Sequence, residues 1–263
     1  MKQKKIIIFS DLDGTLLDKN TFKFDIIEDY FRDLILKGII IIPSSSKTEA
    51  ELLDFNRHYN LKLSFISENG SAIHGLDLIN KKLPNKILIS RSIDEIYNIY
   101  NKTISSHLKQ KIIFISNLNI EEQIKIFGLP QDKLLLAKKR NHSIPIQFKG
   151  SEIEKKDFIK LINDAGLSVQ TGGRIMNICD NTNKSKAMSI TKELINKVKD
   201  EKIITIGVGD NQNDIEMLKN CDYACLVKND NFDSSLINID NLIKSSEPSP
   251  LGWADVIKTA IQK

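Results

Sequence analysis

The sequence predicts an α/β fold, with a doubly wound, mostly parallel sheet flanked by helices and a second α/β domain inserted into it. Runs of consecutive apolar residues, typical of strands buried on both faces, alternate with amphipathic helical stretches in the first third and again in the last third. The middle third has two strand-like runs around a Gly-Gly turn, which favours a partly antiparallel sheet. We therefore expect a core domain of 1–82 and 182–263 and an inserted domain of 83–181.

Each element is predicted from a local signal. Strands are expected at the apolar-rich runs 6–9, 39–42, 63–66, 71–74, 86–90, 112–116, 144–148, 167–171, 175–179, 203–207 and 223–227. Helices are expected where apolar residues recur on one helical face, at 25–37, 48–58, 92–107, 120–127, 130–138, 151–166, 184–198 and 253–261. Several helices open with a capping box, such as Thr48 followed by Glu51, which marks the first turn.

Composition narrows the class of protein and the kind of partner. A chain of 263 residues with 41% hydrophobic and 27% charged residues is ordinary for a globular protein with a substantial core. The net charge of +4 comes from scattered basic residues, with no run interleaved with aromatic side chains. We therefore expect no nucleic-acid partner.

The cysteines and the N-terminal residues bear on location. Cys179, Cys221 and Cys225 form neither a CxxC pair nor a zinc-binding pattern, as expected for reduced thiols in the cytoplasm. The first apolar run stops at Ser10, too early for a signal sequence or a membrane span. We expect a cytoplasmic protein with no membrane partner, either a monomer or a homodimer.

Two aspartates follow the first strand directly. Asp11 and Asp13 lie two residues apart, so an extended backbone points both side chains the same way. Ligands of open α/β sheets bind just beyond the carboxyl ends of the strands, where these carboxylates would converge. Two such close carboxylates repel, which a divalent cation or a shared proton would relieve. A simple Asp-Gly turn is the alternative interpretation.

Two further loops suit a phosphate. Residues 43–48, Pro-Ser-Ser-Ser-Lys-Thr, place hydroxyls and backbone N–H groups at a strand-to-helix junction, although an ordinary serine-rich cap would look similar. Lys184 opens a late helix, where its charge opposes the helix dipole unless it faces an anion. A solvated surface role is the alternative for Lys184, and Lys186 is expected at the surface.

A second acidic loop follows the strand near residue 203. Its sequence, Gly-Val-Gly-Asp-Asn-Gln-Asn-Asp at 207–214, supplies Asp210 and Asp214 as oxygen ligands after a tight turn. An EF-hand calcium loop would need glycine at the sixth position and glutamate at the twelfth, where Ile215 and Cys221 stand. The loop is therefore not an EF-hand.

In order and in context, these four loops resemble the four motifs of the haloacid dehalogenase-like phosphohydrolases, which implies a Rossmann-like core and Mg²⁺ as cofactor. The segments SSSKT, SENGSAI, GGR, NKSKA, GDNQNDIEML and EPSPLGW extend the resemblance over almost the whole chain, to the mannosyl-3-phosphoglycerate phosphatases. In that family an α/β cap is inserted between the second and third motifs.

The resemblance implies roles for the core residues. Asp11 would be the nucleophile that forms an aspartyl-phosphate, and Asp13 the general acid and base. Ser45 and Lys184 would neutralise the phosphoryl oxygens. The remaining implied assignments are Mg²⁺ binding by Asp11, the Asp13 carbonyl, Asp210 and Asp214, and orientation of the site by Thr15 and Asn213.

Substrate choice is expected to depend mainly on the cap. Arg174 and Arg140 are the candidates for the glycerate carboxylate, with a surface charge as the alternative for Arg140. Further substrate-binding candidates on the core side are Ser46, Lys47, Glu68 and Asn69. The chain departs from the family pattern at two positions, Ser185 in place of glycine and Ile144 in place of an acidic residue.

These implications favour one activity and leave others open. The expected reaction is Mg²⁺-dependent hydrolysis of mannosyl-3-phosphoglycerate, which yields phosphate and the compatible solute mannosylglycerate. A phosphatase for glucosyl-3-phosphoglycerate or for other small sugar phosphates is the first alternative, and a phosphomannomutase-like phosphotransferase is the second. A non-enzymatic binder of a phosphorylated metabolite is least favoured, because Asp13 is present.

Overall fold

The computed structural model describes residues 4–172, 175–198, 202–233 and 237–263. The strands are β1 (Lys4–Ser10), β2 (Ile40–Pro43), β3 (Phe65–Ser67), β4 (Ala72–His74), β5 (Lys86–Leu88), β6 (Ile112–Phe114), β7 (Ser143–Phe148), β8 (Leu167–Gly172), β9 (Ile175–Asp180), β10 (Lys202–Gly209), β11 (Tyr223–Lys228) and β12 (Ile243–Pro248). The α-helices are α1 (Glu28–Leu36), α2 (Glu49–His58), α3 (Ile93–Thr103), α4 (Ser106–Lys109), α5 (Ile120–Phe127), α6 (Gln131–Ala137), α7 (Glu152–Asp164), α8 (Lys184–Val198), α9 (Ile215–Lys219) and α10 (Leu251–Ile261). Within these described ranges, no helix combines the length and the apolar character needed to cross a bilayer.

The chain divides into two compact units. The first comprises Met1–Ser46, Lys62–Ile87 and Asn183–Lys263, and the second comprises Lys47–Leu61 and Leu88–Thr182. Helix α2, which the sequence analysis places in the core domain, thus groups with the inserted stretch.

The contacts of α2 explain this grouping. The Thr48 hydroxyl donates to the backbone carbonyl of Leu136 at 3.0 Å. The Lys133 ammonium lies 2.7 Å from the Asp54 carboxylate. Both contacts join α2 to α6, so the helix packs within the second unit.

The first unit is built on a parallel sheet, which confirms the predicted fold class. Its strand order is β12-β11-β10-β1-β2, and every neighbouring pair is parallel. Strand β1 is buried on both faces at Ile7, Ile8 and Phe9, as its unbroken apolar run predicts. A parallel bridge between Ser44 and Ile66 continues the sheet beyond β2 toward β3.

Strand order fixes where a ligand site can form in this unit. From β1 the chain proceeds to β2 on one side, whereas β10 pairs with β1 on the other side. The strand order therefore reverses at β1, and ligands of such sheets usually bind beyond the carboxyl ends of the two strands at that point, here β1 and β10. Strand β12 was not predicted, because its sequence is polar and most of its side chains are exposed at the sheet edge.

The second unit has an antiparallel sheet of order β6-β7-β9-β8, as the Gly-Gly turn predicted. Its apolar core contains side chains from the sheet and from α3 and α7, including Ile96, Phe158 and Ile178. Ile144 belongs to this core and is 6% exposed. The residue that departs from the family pattern therefore packs against apolar side chains.

One predicted helix is wrong in extent. The sequence analysis expected a single helix over 92–107, but the backbone at Ile104 is extended. Ser105 then caps the separate short helix α4 by accepting the N–H of Leu108. Ser105 thus caps a new helix, and the apolar pattern over 92–107 spans two helices instead of one.

A charged pair joins the two ends of the stretch Leu88–Thr182 in the second unit. Arg91 binds Asp180 in a forked arrangement, with Nε 2.9 Å from Oδ2 and Nη2 2.6 Å from Oδ1. Arg91 Nη2 also donates to the carbonyl of Gly166 at 2.5 Å. The hydrogen bonds from Arg91 lower the pKa of Asp180 to about 2. Such paired, forked geometry holds the two chain segments together.

This pair should make stability depend on pH. A carboxyl whose pKa is lowered by folding stabilises the protein above its unfolded pKa, and this contribution is lost as pH falls through about 4 toward 2. We expect Asp180→Asn to lower the free energy of unfolding by about 1 to 2 kcal/mol at neutral pH, with the deficit shrinking toward pH 2. Urea titrations across this range measure the deficit. Glu193→Gln, which breaks an exposed pair, is the matched control, and a deficit that does not change with pH would contradict the charge-pair explanation.

Candidate active site

The end of β1 brings two distant aspartates together. The N–H of Asp11 donates to the carbonyl of Val208 at 2.9 Å, so the parallel ladder between β1 and β10 continues to this residue. Asp210 follows the end of β10 directly. The two carboxylates are 7% and 5% exposed. Register between the two strands thus places Asp11 beside Asp210.

Asp214 completes a cluster of three buried carboxylates. Oxygen atoms of Asp11, Asp210 and Asp214 all lie within 4.8 Å of one another. Lys184, which is 1% exposed, places its ammonium 2.5 Å from Asp11 Oδ1 and 2.7 Å from Asp214 Oδ1. The Thr15 hydroxyl lies 2.9 Å from Asp210 Oδ1 and 3.2 Å from Asp11 Oδ2. We call these three aspartates and Lys184 the acidic cluster.

The loop after β10 is shaped to hold Asp214. The second oxygen of Asp214 accepts the backbone N–H groups of Asp210 and Asn211, at 3.1 and 3.2 Å. Gly209 is required here because a Cβ at that position would collide with the Asp214 side chain. One carboxylate oxygen is therefore fixed by the backbone, while the other faces Lys184.

Burial and mutual repulsion change the ionisation of the acidic cluster. Burial raises the pKa of Asp11 to about 7, and the neighbouring carboxylates add to this effect while Lys184 opposes it. Burial likewise raises the pKa of Asp210 to about 6, with Asp214 contributing in the same direction. Burial alone would lower the pKa of Lys184, but Asp11 and Asp214 raise it above its ordinary value.

The acidic cluster fits a hard divalent cation. When ionised, its three carboxylates and one ammonium carry two net negative charges in a buried position, which is unfavourable unless further positive charge is supplied. Its carboxylate oxygens are the ligands that Mg²⁺ prefers. Asp11, Asp210 and Asp214 are thus the residues that could hold the metal. Asp13 is partly exposed and belongs to the same loop as Asp11.

The serine loop and the turn after β3 lie next to each other. Ser45 is 1% exposed, and its backbone carbonyl accepts the N–H of Asn69 at 2.9 Å. Glu68 and Asn69 both have positive φ, 45° and 55°, which is uncommon for residues other than glycine. A Cβ on Gly70 would collide with the backbone carbonyl of Asn183. The turn therefore lies against the N-terminus of α8, where Lys184 begins.

The other predicted site residues are not members of the acidic cluster, and one of them lies outside the described residues. Asn213 is exposed in a short 3₁₀ turn, and Ser46 is partly buried. Lys47 belongs to the second unit and lies 3.9 Å from Glu51. Arg140, also in that unit, donates to the Ser143 hydroxyl at 3.1 Å. Arg174 lies outside the described residues.

The two departures from the family pattern are both accommodated. Ser185 is 8% exposed, and its hydroxyl accepts the side-chain amide of Asn220 at 3.1 Å. Ile144 packs in the apolar core of the second unit. Neither residue therefore buries a polar side-chain group without a hydrogen-bond partner.

Sequence analysis missed Asn229 as a member of the site. Its side-chain amide donates to Asp210 Oδ2 at 2.7 Å and thereby fixes the outer oxygen of that carboxylate. Asn229 follows the end of β11, which is the edge where the other loops meet. The same strand-end argument that identified Asp11 could have found it.

Comparisons with known proteins identify the family to which the chain belongs. The model of the haloacid dehalogenase-like hydrolase family matches residues 8–245. A glucosyl-3-phosphoglycerate/mannosyl-3-phosphoglycerate phosphatase from Methanococcoides burtonii is 33% identical over 98% of both chains. A protein with the same name from Persephonella marina is 28% identical over 96% of both chains.

Solved structures support the same fold. A phosphatase of the haloalkanoate superfamily from Bacteroides thetaiotaomicron superposes with a TM-score of 0.70 and 18% identity, covering 97% of this chain and 94% of that one. The chain belongs to the haloacid dehalogenase-like hydrolase family. The two curated relatives thereby confirm the resemblance to the mannosyl-3-phosphoglycerate phosphatases that the sequence motifs indicated.

Neutralising one carboxylate of the acidic cluster should raise the stability of the metal-free protein, because it removes part of the cluster's excess negative charge. Groups whose pKa is raised by folding destabilise the protein as pH rises from about 4 to about 7, because the folded state binds more protons than the unfolded state. Without divalent cations, we expect Asp210→Asn to have a higher Tm than the wild type at pH 7.5. Mg²⁺ should raise the Tm of the wild type but barely that of the variant.

Differential scanning fluorimetry with EDTA or with Mg²⁺ measures both effects. Asp25→Asn removes an exposed carboxylate that pairs with Lys23 and should change neither quantity. An Asp210→Asn protein that is less stable than the wild type in EDTA would show that the three carboxylates do not repel.

Proposed function

We propose that the protein is a Mg²⁺-dependent phosphatase that releases phosphate from a 3-phosphoglycerate joined to mannose or glucose. The observation that carries the proposal is the acidic cluster, in which Asp11 meets Asp210, Asp214 and Lys184 at the point where the strand order reverses. The names of the two curated relatives support this class of substrate. The chemistry would take place in the cytoplasm.

Asp11 is the nucleophile in this proposal. Its carboxylate attacks the phosphorus atom in line, so that a bond forms between the Asp11 oxygen and phosphorus as the bond from phosphorus to the glycerate oxygen breaks. Asp13 gives a proton to the departing glycerate oxygen. It then takes a proton from the water that attacks the aspartyl-phosphate, which restores Asp11 and releases inorganic phosphate.

Positive charge and hydrogen-bond donors would stabilise the transferring phosphoryl group. Lys184 already lies 2.5 Å from Asp11 Oδ1 and offers an ammonium next to the attacking oxygen. Ser45 would contribute a hydroxyl from the loop after β2. Bound Mg²⁺, held by Asp11, Asp210, Asp214 and the Asp13 carbonyl, would screen the repulsion between the carboxylate and the phosphate. Thr15 and Asn213 would orient the surrounding groups.

Recognition of the sugar and the glycerate is assigned to a second set of residues. Glu68 and Asn69 lie in the left-handed turn beside the start of α8, where the Asn69 N–H donates to the Ser45 carbonyl and the following Gly70 lies against the Asn183 carbonyl. Strained backbone of this kind often occurs at ligand sites. The other proposed substrate-binding residues are Ser46, Lys47, Arg140 and Arg174. Ile144 is not among them, because its side chain is buried in the apolar core.

The proposal is tested by measuring phosphate release with Mg²⁺ from mannosyl- and glucosyl-3-phosphoglycerate and from simple hexose phosphates. We expect the two phosphoglycerates to be the best substrates and EDTA to abolish turnover. Asp11→Asn keeps the size of the side chain but removes the nucleophile, so turnover should fall at least a thousandfold, to about the assay background. An active, metal-dependent Asp11→Asn protein would refute the assignment of Asp11.

Other outcomes would change the reaction class. Phosphate transfer that needs a sugar bisphosphate and releases no inorganic phosphate would identify a mutase. Equal turnover of hexose phosphates and both phosphoglycerates would mean that the glycerate group is not recognised.

Lys184 should affect both catalysis and stability. Its loss leaves three buried carboxylates without a neighbouring cation, which typically costs about 3 to 5 kcal/mol. Lys184→Met should also lower kcat by a factor of about 10² to 10³, as expected for the loss of a charged donor at a reacting phosphate. Urea unfolding and phosphate release measure the two effects. Lys186→Met, two residues further along α8 and exposed, should change neither one.

A further inference from the structure

The backbone carbonyl of Asp11 lacks the partner that a regular sheet would give it. In the parallel ladder, Asp11 donates its N–H to Val208, and the next donor along β10 would be the N–H of Asp210. That N–H instead donates to Asp214 Oδ2 at 3.1 Å. The bond that holds Asp214 in place thus takes away the donor that Asp11 would use. A buried carbonyl at this position needs another donor.

Ser10 supplies that donor, and Trp253 directs it. The Ser10 hydroxyl donates to the Asp11 carbonyl at 2.7 Å. The indole Nε1–H of Trp253 donates to the Ser10 oxygen at 2.9 Å, across 243 positions of sequence. An indole N–H can only donate and a carbonyl can only accept, so the Ser10 proton must point toward Asp11. We call this chain of two hydrogen bonds the Trp253 relay.

The relay is enclosed by apolar packing. Trp253 and Ser10 are both 0% exposed, so water does not compete for either bond. The indole lies 5.7 Å, centroid to centroid, from the Phe31 ring of α1, which in turn lies 5.0 Å from Phe24. Helix α10 packs on β11 and β12 and brings the indole under the end of β1. The indole is therefore surrounded by apolar side chains that do not belong to the acidic cluster.

We propose that Trp253 is a positioning residue for the nucleophile: through Ser10 it fixes the backbone at Asp11 and so the direction of the attacking carboxylate. This inference rests on the proposed role of Asp11. In-line attack on phosphorus is sensitive to displacements of about 1 Å. Without the indole N–H, the Ser10 hydroxyl can rotate away and the Asp11 carbonyl loses its donor. The peptide that carries the nucleophile is then held by fewer bonds.

Kinetics of single and double variants test the proposal. Trp253→Phe keeps an aromatic ring but removes the N–H, and Ser10→Ala removes the hydroxyl. Each should lower kcat about tenfold, with KM within about twofold of the wild type, because substrate contacts are unchanged. The double variant should be no slower than the slower single variant, since both changes break the same relay. A double variant whose loss equals the product of the single losses would overturn the proposal.

Phe31→Leu is the matched control for packing. It removes the ring contact with Trp253 but leaves both hydrogen bonds of the relay in place. It should lower Tm at least as much as Trp253→Phe while kcat stays within about twofold of the wild type. If kcat falls in step with Tm across all of these variants, Trp253 acts only through stability and the proposal is wrong.

A spectroscopic measurement separates the relay from the proposed activity. The chain has one Trp, so its indole N–H gives a single, assigned nuclear magnetic resonance signal. Ser10→Ala should move this signal upfield and speed its exchange with solvent, and an unchanged signal would overturn the relay. If the wild type releases no phosphate from any tested ester, the proposed function fails, while a Ser10-dependent indole signal would still support the hydrogen bonds.

Discussion

The charge balance around Lys184 is the constraint on which the rest of the site depends. Three carboxylates that are each almost fully buried would repel one another strongly, and one ammonium between Asp11 and Asp214 offsets only part of that repulsion. The remaining negative charge suits the proposed Mg²⁺, which would in turn attract the phosphate group of the proposed substrate. Burying these charges thus reduces stability locally, a cost that is common at catalytic centres.

Hydrogen bonds around the acidic cluster serve mainly to keep those charges in place. Asp214 is fixed by two backbone N–H groups, Asp210 by Thr15 and Asn229, and the Asp11 backbone by Ser10. These donors come from β1, from the loop after β10 and from the end of β11, so the parallel sheet serves as the frame for all of them. Fixed donors that need no rearrangement during reaction are the principal means by which such sites stabilise developing charge.

Local patterns in the sequence predicted most of the elements and the central residues of the site. Buried parallel strands appear in the sequence as unbroken apolar runs, and their ends must meet at one edge, so Asp11 and Asp210 could be grouped without coordinates. Lys184 opens a helix instead, and only the family resemblance grouped it with them. Three features of the structure could not be predicted from the sequence, each for a physical reason. Strand β12 is a polar edge strand, the helix over 92–107 is interrupted by the cap at Ser105, and the Trp253 relay joins side chains whose spacing follows no period. Long-range side-chain contacts leave no local signature.

The relay also bears on how the enzyme matures. Because Trp253 follows Ser10 by 243 positions, a growing polypeptide can pair β1 with β2 long before the indole has been synthesised. During that interval the peptide at Asp11 lacks its full set of bonds, whatever the state of the early strands. Nascent chains would therefore reach full activity only after α10 has left the ribosome, and products of premature termination upstream of it would hold the proposed nucleophile with fewer bonds.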